Sequence, residues 1–241
     1  MPLEYFNIDQ LSPLLRFSTR QLQRMAERDE IPARRVGGEW RFSRKEIIQW
    51  LQTRIGTSNE EELIEMEKVL QKLVEGFPVE NLPVADLLHP NGIRVPLEGK
   101  SANSVIESIV QAAMETDLLW DDRAMVNAIH ERESMYPTAM DNGIALLHPR
   151  RPMMDILADP FIAFGRTHHG IPFADNGVLT DIFFLICSTN DTQHLRTLAR
   201  LSRIINVPDF LPQLRTLSEP KEIIKLFRET EQGIDSAGLK N

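Results

Sequence analysis

The sequence contains almost no cysteine and no long apolar run. A single cysteine, Cys187, in 241 residues excludes an internal disulfide and a zinc site built from cysteines. No apolar stretch approaches the roughly 18–20 residues that span a bilayer, and MPLEYFNIDQ lacks the basic start and apolar stretch of a secretion signal. These absences lead us to expect a cytoplasmic protein without membrane segments.

The charged residues are unevenly distributed along a chain of otherwise ordinary composition. Residues 1–56, which we call the head, carry ten Lys/Arg and seven Asp/Glu, a net charge of +3. The remainder carries 17 basic and 28 acidic residues, a net charge of −11. A basic head on an acidic chain predicts an anionic partner for the head alone, although a chance fluctuation in a short segment explains the charge equally well.

Local patterns divide the rest of the chain into three parts. Residues 84–232, which we call the body, alternate helical patterns with apolar strand runs, and this predicts an α/β domain. Residues 233–241 are small and polar and predict a flexible tail. Residues 57–83 contain a predicted linker helix whose apolar positions are spaced three and four apart: Leu63, Met66, Leu70, Leu73 and Phe77. This spacing indicates either a homodimer through a short coiled coil at 58–77 or a helix packed on its own body.

The head has the pattern helix, turn, helix, hairpin, helix. Ser18 is a good N-cap for a second helix over residues 19–27, and Gly37-Gly38 favours a tight hairpin turn between two short strand runs. Ser43 can cap a third helix. Two helices followed by a hairpin are typical of a winged helix-turn-helix domain.

The segment FSTRQLQRMAERDEIPARRVGGEWRFSRKEIIQWL resembles the DNA-binding domains of the excisionase and MerR-like group. The shared features are a turn with proline, a basic strand, two glycines, a Trp-Arg-Phe strand and a helix that ends in Trp-Leu. The resemblance implies that the head binds duplex DNA, with the second helix in the major groove and the wing arginines at phosphates. The candidate residues are Thr19, Arg20, Gln23, Arg24, Arg34, Arg35 and Arg41. The alternative is a solvated face or a protein-binding module.

Two of the six histidines lie where apolar strand runs end. His148 directly follows the run GIALL, and His194 begins a helix just after DIFFLICS. Functional groups of open α/β sheets collect at the carboxyl ends of strands, so we expect both histidines to face one crevice. Either histidine alone is more often a surface or helix-capping residue. No third ligand has metal-site spacing, so we predict neither a metal nor a cofactor.

The body resembles the IIA domains of the bacterial phosphotransferase system, of the mannitol, fructose and nitrogen-regulatory type. The family's phosphorylated histidine follows a short strand, as His148 does in DNGIALLHPR. An Arg-Glu pair about 16 residues earlier matches Arg132 and Glu133, and a second histidine at a helix start matches His194 in DTQHL. The resemblance implies a mixed sheet flanked by helices and phosphorylation of His148, with Arg132 and His194 assisting. It also implies an HPr-like, histidine-phosphorylated carrier protein as the donor.

Together these features predict a phosphotransferase-linked regulator whose DNA-binding head is controlled by phosphorylation of its body. The body is expected to accept or carry a phosphoryl group rather than to turn over a small molecule. No P-loop or kinase signature is present, so a nucleotide is not the expected donor. Two alternatives stay open: a phosphocarrier whose head binds protein, and a DNA-binding protein whose body only dimerises or senses.

Overall fold

The computed structural model describes residues 4–44, 46–47, 50–51, 82–135, 137–174 and 177–238. The chain divides into two compact units, Met1–Val79 and Glu80–Asn241. The predicted linker helix, its apolar seam and the dimer contact at 58–77 lie outside the described residues. Among the helices that are described, none is long and apolar enough to cross a membrane.

Two helices with both ends described, a small antiparallel sheet and helical residues between 44 and 51 make up the described part of the head. Its elements are β1 (Tyr5–Phe6), α1 (Ile8–Leu15), α2 (Thr19–Glu27), β2 (Arg34–Val36) and β3 (Glu39–Ser43). The strand order is β1-β3-β2. Asn7 and Ser18 cap the two helices through capping boxes, because each side chain accepts from the N–H three residues later. Gly37 and Gly38 form the hairpin turn with φ values of 60° and 87°, which glycine adopts without strain.

The apolar core of the head determines which side of α2 faces solvent. Leu22 and Ala26 of α2 are buried, together with core residues from the other segments: Leu11, Ile31, Phe42 and Ile47. Trp50 is half-buried, and its indole N–H donates to the Glu30 carbonyl at 2.8 Å. Burial of the Leu22 face leaves the opposite side of α2 exposed.

The body is built on a four-stranded mixed sheet. Its elements in chain order are α3 (Val84–Leu87), β4 (Leu88–Arg94), α4 (Ala102–Met114), α5 (Asp122–Met135), β5 (Ile144–Leu147), β6 (Phe161–Pro172), β7 (Leu179–Cys187), α6 (Asp191–Ile205), α7 (Phe210–Thr216) and α8 (Pro220–Gly238). The strand order is β4-β6-β7-β5. β6 and β7 are antiparallel, whereas β4 is parallel to β6 and β5 is parallel to β7. This architecture confirms the predicted α/β fold with a mixed sheet flanked by helices.

Helices cover both faces of this sheet. On one face, side chains of α4 and α5 such as Ile109 and Ile129 form a cluster with Phe183 and Leu185 of β7. On the other face, aromatic rings pack edge to face from the sheet to α7 and α8, with 5.9 Å between the centroids of Phe184 and Phe227 and 4.9 Å between those of Phe227 and Phe210. The close packing of both layers holds the strands, and therefore the residues at their ends, in fixed positions.

Three local features differ from the sequence expectations. The sequence does not predict β4, because the turn formers Pro90, Asn91 and Gly92 interrupt its apolar pattern. In the structure, the register with β6 shifts between Leu88 and Ile93. Asp191 at the start of DTQHL has a side chain typical of an N-cap, but the N-cap of α6 is Asn190, whose side chain accepts from the Gln193 N–H. α8 continues through Gly233 to Gly238, whereas composition predicted a tail from residue 233.

A buried carboxylate joins α8 to the first helix of the body. Glu231 is only 4% exposed, and its carboxylate accepts from the N–H groups of Val84 at 3.0 Å and Ala85 at 2.9 Å. Arg200 of α6 donates to the same carboxylate at 3.2 Å. The first N–H groups of a helix have no partner within the helix, so Glu231 satisfies donors that burial would otherwise leave unpaired.

Candidate functional site

Parallel pairing of β5 with β7 brings two histidines together at one edge of the sheet. Leu147 pairs with Leu185, so both strands end side by side. His148 follows β5 directly, and His194 lies in the first turn of α6, just after β7. Their ring centroids are 4.9 Å apart, and both side chains are almost fully buried. The structure thus brings the two histidines together, and we call this buried pair and its surroundings the crevice.

Hydrogen bonds identify which nitrogen of His148 carries the proton. Nδ1 lies 2.8 Å from the carbonyl oxygen of Leu146. A carbonyl can only accept, so Nδ1 is the protonated nitrogen and Nε2 holds the lone pair. Nδ1 of His194 lies 3.2 Å from the Ser188 hydroxyl, and its Nε2 is buried without a hydrogen-bond partner among the described residues. This nitrogen can therefore bind a group that enters the crevice.

Both imidazoles are neutral at physiological pH. The pKa of His148 falls to about 4, first because of burial and then because of the Arg132 guanidinium, while the hydrogen bond to the Leu146 carbonyl acts in the opposite direction. The pKa of His194 lies well below its ordinary value because of burial, the neighbouring His148 and Arg132. Arg132 lies in the last turn of α5 and keeps its charge, since arginine does not deprotonate in proteins. The crevice therefore combines two uncharged imidazoles with one cation.

An ion pair that the sequence analysis did not predict fixes the entry to β5. Arg215 makes two hydrogen bonds of 2.8 Å to the carboxylate of Asp181, and it donates to the Asn142 carbonyl at 2.9 Å. Gly143 lies against this pair with φ 84°, and a Cβ there would stand 3.0 Å from Arg215 Nη2. The partners are 34 and 73 residues apart, so no sequence spacing indicated them. These hydrogen bonds of Arg215 hold the start of β5, the strand that His148 directly follows.

Arg150 and Arg151 follow His148 closely and are both exposed. They bring two further cations within three residues of His148 along the chain, after the buried Pro149. The part of the chain that the structure describes contains no group of three or more His, Cys, Asp or Glu residues that could hold a metal ion.

The predicted DNA-contacting residues of α2 share one exposed face of the head. Thr19, Arg20, Gln23 and Arg24 are all exposed, opposite the buried Leu22. The amide nitrogen of Gln23 donates to Glu27 at 3.0 Å. The face therefore offers two guanidinium groups and an amide.

The hairpin arginines are largely paired with groups of the head itself. Arg34 donates to Glu46 at 2.6 Å and Arg41 donates to Glu39 at 3.1 Å. Arg35 lies over the Trp40 ring, 5.6 Å from its centroid. Counting charges along the sequence treated these arginines as unpaired. In the structure, a phosphate would compete with a carboxylate for two of the three.

Two sequence families match this chain, one in each of its two compact units. Residues 86–230 match the family described as phosphoenolpyruvate-dependent sugar phosphotransferase system, EIIA 2. Residues 5–55 match a helix-turn-helix domain family.

Relatives of the body are phosphotransferase proteins and nitrogen regulators. A nitrogen regulatory protein of Bradyrhizobium diazoefficiens is 26% identical over 149 residues, which cover 61% of this chain and 95% of that protein. A fructose-specific EIIABC component of Bacillus subtilis is 27% identical over 154 residues, 63% of this chain, but the match spans only 24% of that relative.

Solved structures share the fold of the body. Nitrogen regulatory protein IIA-Ntr from Neisseria meningitidis superposes with a TM-score of 0.53 at 20% identity, over 60% of this chain and 98% of that one. IIA mannitol from Escherichia coli gives a TM-score of 0.52 at 16% identity, over 58% and 98%. The predicted resemblance is confirmed: with more than half of its length matched, the chain belongs to the EIIA 2 family of the phosphoenolpyruvate-dependent sugar phosphotransferase system and carries a helix-turn-helix domain at its N-terminus.

Proposed function

We propose that this protein is a cytoplasmic, phosphotransferase-linked regulator: its body accepts a phosphoryl group on His148, and this modification controls binding of duplex DNA by its head. The observation that carries the proposal is the buried crevice in which neutral His148 and His194 lie within the field of Arg132. An uncharged imidazole nitrogen with a free lone pair is a nucleophile near pH 7.

The transfer step uses the lone pair on Nε2 of His148. Nε2 attacks the phosphorus of a phosphohistidine on an HPr-like carrier protein, and the electron pair of the broken P–N bond returns to the donor imidazole. The moving group spreads negative charge over its oxygens, which must meet preplaced donors. Arg132 supplies a cation with several N–H donors. His194 Nε2 donates a further bond when the Ser188 hydroxyl donates to Nδ1, because Nε2 then carries the proton.

The head contributes an exposed helix face and a basic hairpin. Arg20 and Arg24 of α2 are suited to base edges in the major groove, and Arg35 on the hairpin is suited to a phosphate. One module makes few contacts, so we propose that two chains join through residues 58–77 and present two heads to paired half-sites.

The overall proposal is tested by phosphorylating the protein and measuring DNA binding. A phosphotransferase donor system with phosphoenolpyruvate should produce acid-labile phosphate on the full chain. The operator is a duplex selected from a random library by the unmodified protein. Absence of any acid-labile phosphate would remove the acceptor role, and absence of any selected duplex at low salt would favour a head that binds protein.

Substitutions in the head should affect DNA binding in three distinguishable ways. Arg35→Ala should weaken binding to all sequences and lower the salt slope by about 1, because one phosphate contact is lost. Arg20→Ala should also relax sequence preference. Glu39→Gln should tighten binding by roughly two- to fivefold, since Arg41 loses a competing carboxylate worth up to about 1 kcal/mol. Fluorescence anisotropy at two salt concentrations measures all three; weaker binding by Glu39→Gln would contradict the pairing argument.

Phosphorylation should change operator affinity in the same buffer. The phosphate adds about −1.5 to −2 charges to the crevice, and a coupling of about 1–3 kcal/mol corresponds to roughly 5–150-fold in affinity. Equal affinities of the phosphorylated and unmodified wild type would leave a carrier with an uncoupled head.

Leu70→Lys with Leu73→Lys should yield a monomer that binds the operator much more weakly, as measured by light scattering and titration.

A further inference from the structure

A short antiparallel ladder runs along the outer edge of β5. Met140 N–H donates to the Ile144 carbonyl at 2.7 Å, Ala139 lies opposite Ala145, and Leu146 N–H donates to the Thr138 carbonyl at 3.4 Å. In such a ladder, a hydrogen-bonded pair of residues exchanges two N–H···O bonds. Thr138 N–H should therefore donate back to the Leu146 carbonyl.

The Thr138 N–H and the Leu146 carbonyl each have another hydrogen-bond partner instead. Thr138 N–H donates to Oε2 of Glu133 at 3.0 Å, and the Thr138 hydroxyl donates to Oε1 at 2.5 Å. The Leu146 carbonyl accepts from Nδ1 of His148 instead, at 2.8 Å. The Glu133 carboxylate thus binds the Thr138 N–H, which would otherwise compete with the His148 Nδ1–H for the Leu146 carbonyl.

We propose that Glu133 is a positioning residue for His148: by holding the Thr138 N–H, its carboxylate reserves the Leu146 carbonyl for the His148 Nδ1–H. This bond keeps the proton on Nδ1 and the lone pair on Nε2, and it sets the orientation of the ring. The significance for phosphoryl transfer rests on the proposed function, whereas the effect on the imidazole does not.

The surroundings of Glu133 fit this role. Burial raises the pKa of its carboxyl group, while the two Thr138 donors and the Arg132 cation act in the opposite direction. A carboxylate that only neutralised Arg132 would not need to face two donors of Thr138. The amide of glutamine separates these roles, because it removes the charge and retains an oxygen that accepts from the Thr138 N–H.

The test compares the imidazole tautomer in four full-length proteins. Long-range ¹H–¹⁵N NMR distinguishes protonated from unprotonated ring nitrogens. The wild type should show His148 protonated on Nδ1, and Glu133→Leu should shift a measurable fraction of the proton to Nε2. Glu133→Gln should keep the wild-type tautomer. Thr138→Val, which retains the N–H and loses only the hydroxyl, is the matched control and should also keep it.

Phosphoryl transfer is the second measurement. Glu133→Leu should accept phosphate about tenfold more slowly or worse, and Glu133→Gln should retain most of the rate. If the leucine variant does not fold, Glu133→Ala removes the same acceptor with a smaller side chain. An unchanged tautomer in a folded leucine or alanine variant, or equal tautomer shifts in the glutamine and leucine variants, would overturn the positioning role. A wild type that takes up no phosphate would overturn the proposed function, while the tautomer still tests Glu133.

Discussion

His148→Ala should take up no acid-labile phosphate from a phosphotransferase donor, whereas His194→Ala should still be labelled at a rate reduced about 100-fold. The reason is that His148 supplies the nitrogen that forms the covalent bond, while His194 supplies one donor to the phosphoryl oxygens, and loss of one such donor typically costs about 10²–10³ in rate. Arg132→Ala should also slow labelling without abolishing it, because the cation assists the transfer and does not carry the group.

The labelling experiment has an internal control in the same sheet. His168 lies exposed on β6, so His168→Ala removes an imidazole outside the crevice and should be labelled like the wild type. Quenched-flow mixing with a radiolabelled donor gives the rates, and circular dichroism establishes that each variant is folded. Labelling of His148→Ala at the wild-type level would assign the phosphate to another residue.

A lower pH should reduce the free energy of unfolding of the body, because His148 is neutral in the folded protein. The pKa of His148 falls to about 4 in the folded protein, whereas the unfolded chain has the ordinary value near 6.5. Between these values the unfolded state binds a proton that the folded state does not, so stability is complete above about pH 6.5 and is lost as the pH falls toward 4. A difference of one pKa unit corresponds to about 1.4 kcal/mol, so the free energy of unfolding should fall by about 3 kcal/mol because of His148. His194 acts in the same direction.

The comparison that isolates this effect is between the wild type and His148→Gln. Urea unfolding at fixed pH values from 8 to 4, followed by hydrogen exchange of β5 and β7, gives the free energy of unfolding of each protein. Carboxylates titrate in both proteins and cancel in the difference. The stability advantage of the wild type over His148→Gln should shrink by about 3 kcal/mol across this range; a constant difference would contradict a buried, neutral His148.

Features that depend only on residues close together in the sequence could be predicted from it. β5 and residues 182–187 of β7 are uninterrupted apolar runs, and Ser18 and Gly37-Gly38 are local signals for a helix start and a turn. β4 could not be predicted this way, because Pro90, Asn91 and Gly92 within it are turn formers. The sheet register that makes their bulge favourable depends on β6, about 70 residues away, and no local pattern reports it.

Predictions of the candidate site had the same limit. The resemblance named His148, His194 and Arg132, and the rule for strand ends predicted one crevice for the histidines. Neither could indicate the nitrogen of His148 that holds the proton, since this depends on the Leu146 carbonyl. In the head, charge counting could not show that Arg34 and Arg41 are paired with Glu46 and Glu39. These pairs form only in the folded head.

The contact of Glu231 with Val84 and Ala85 constrains the order in which the protein can fold during synthesis. The contact joins positions 147 and 146 residues apart, so the first helix of the body stays uncapped until α8 has emerged from the ribosome. The described strands and helices of the head lie within residues 4–51, which emerge much earlier. The head can therefore fold while the body that is proposed to control it is still being made. A nascent chain arrested before α8 would therefore carry a folded head and a body whose first helix still lacks its cap.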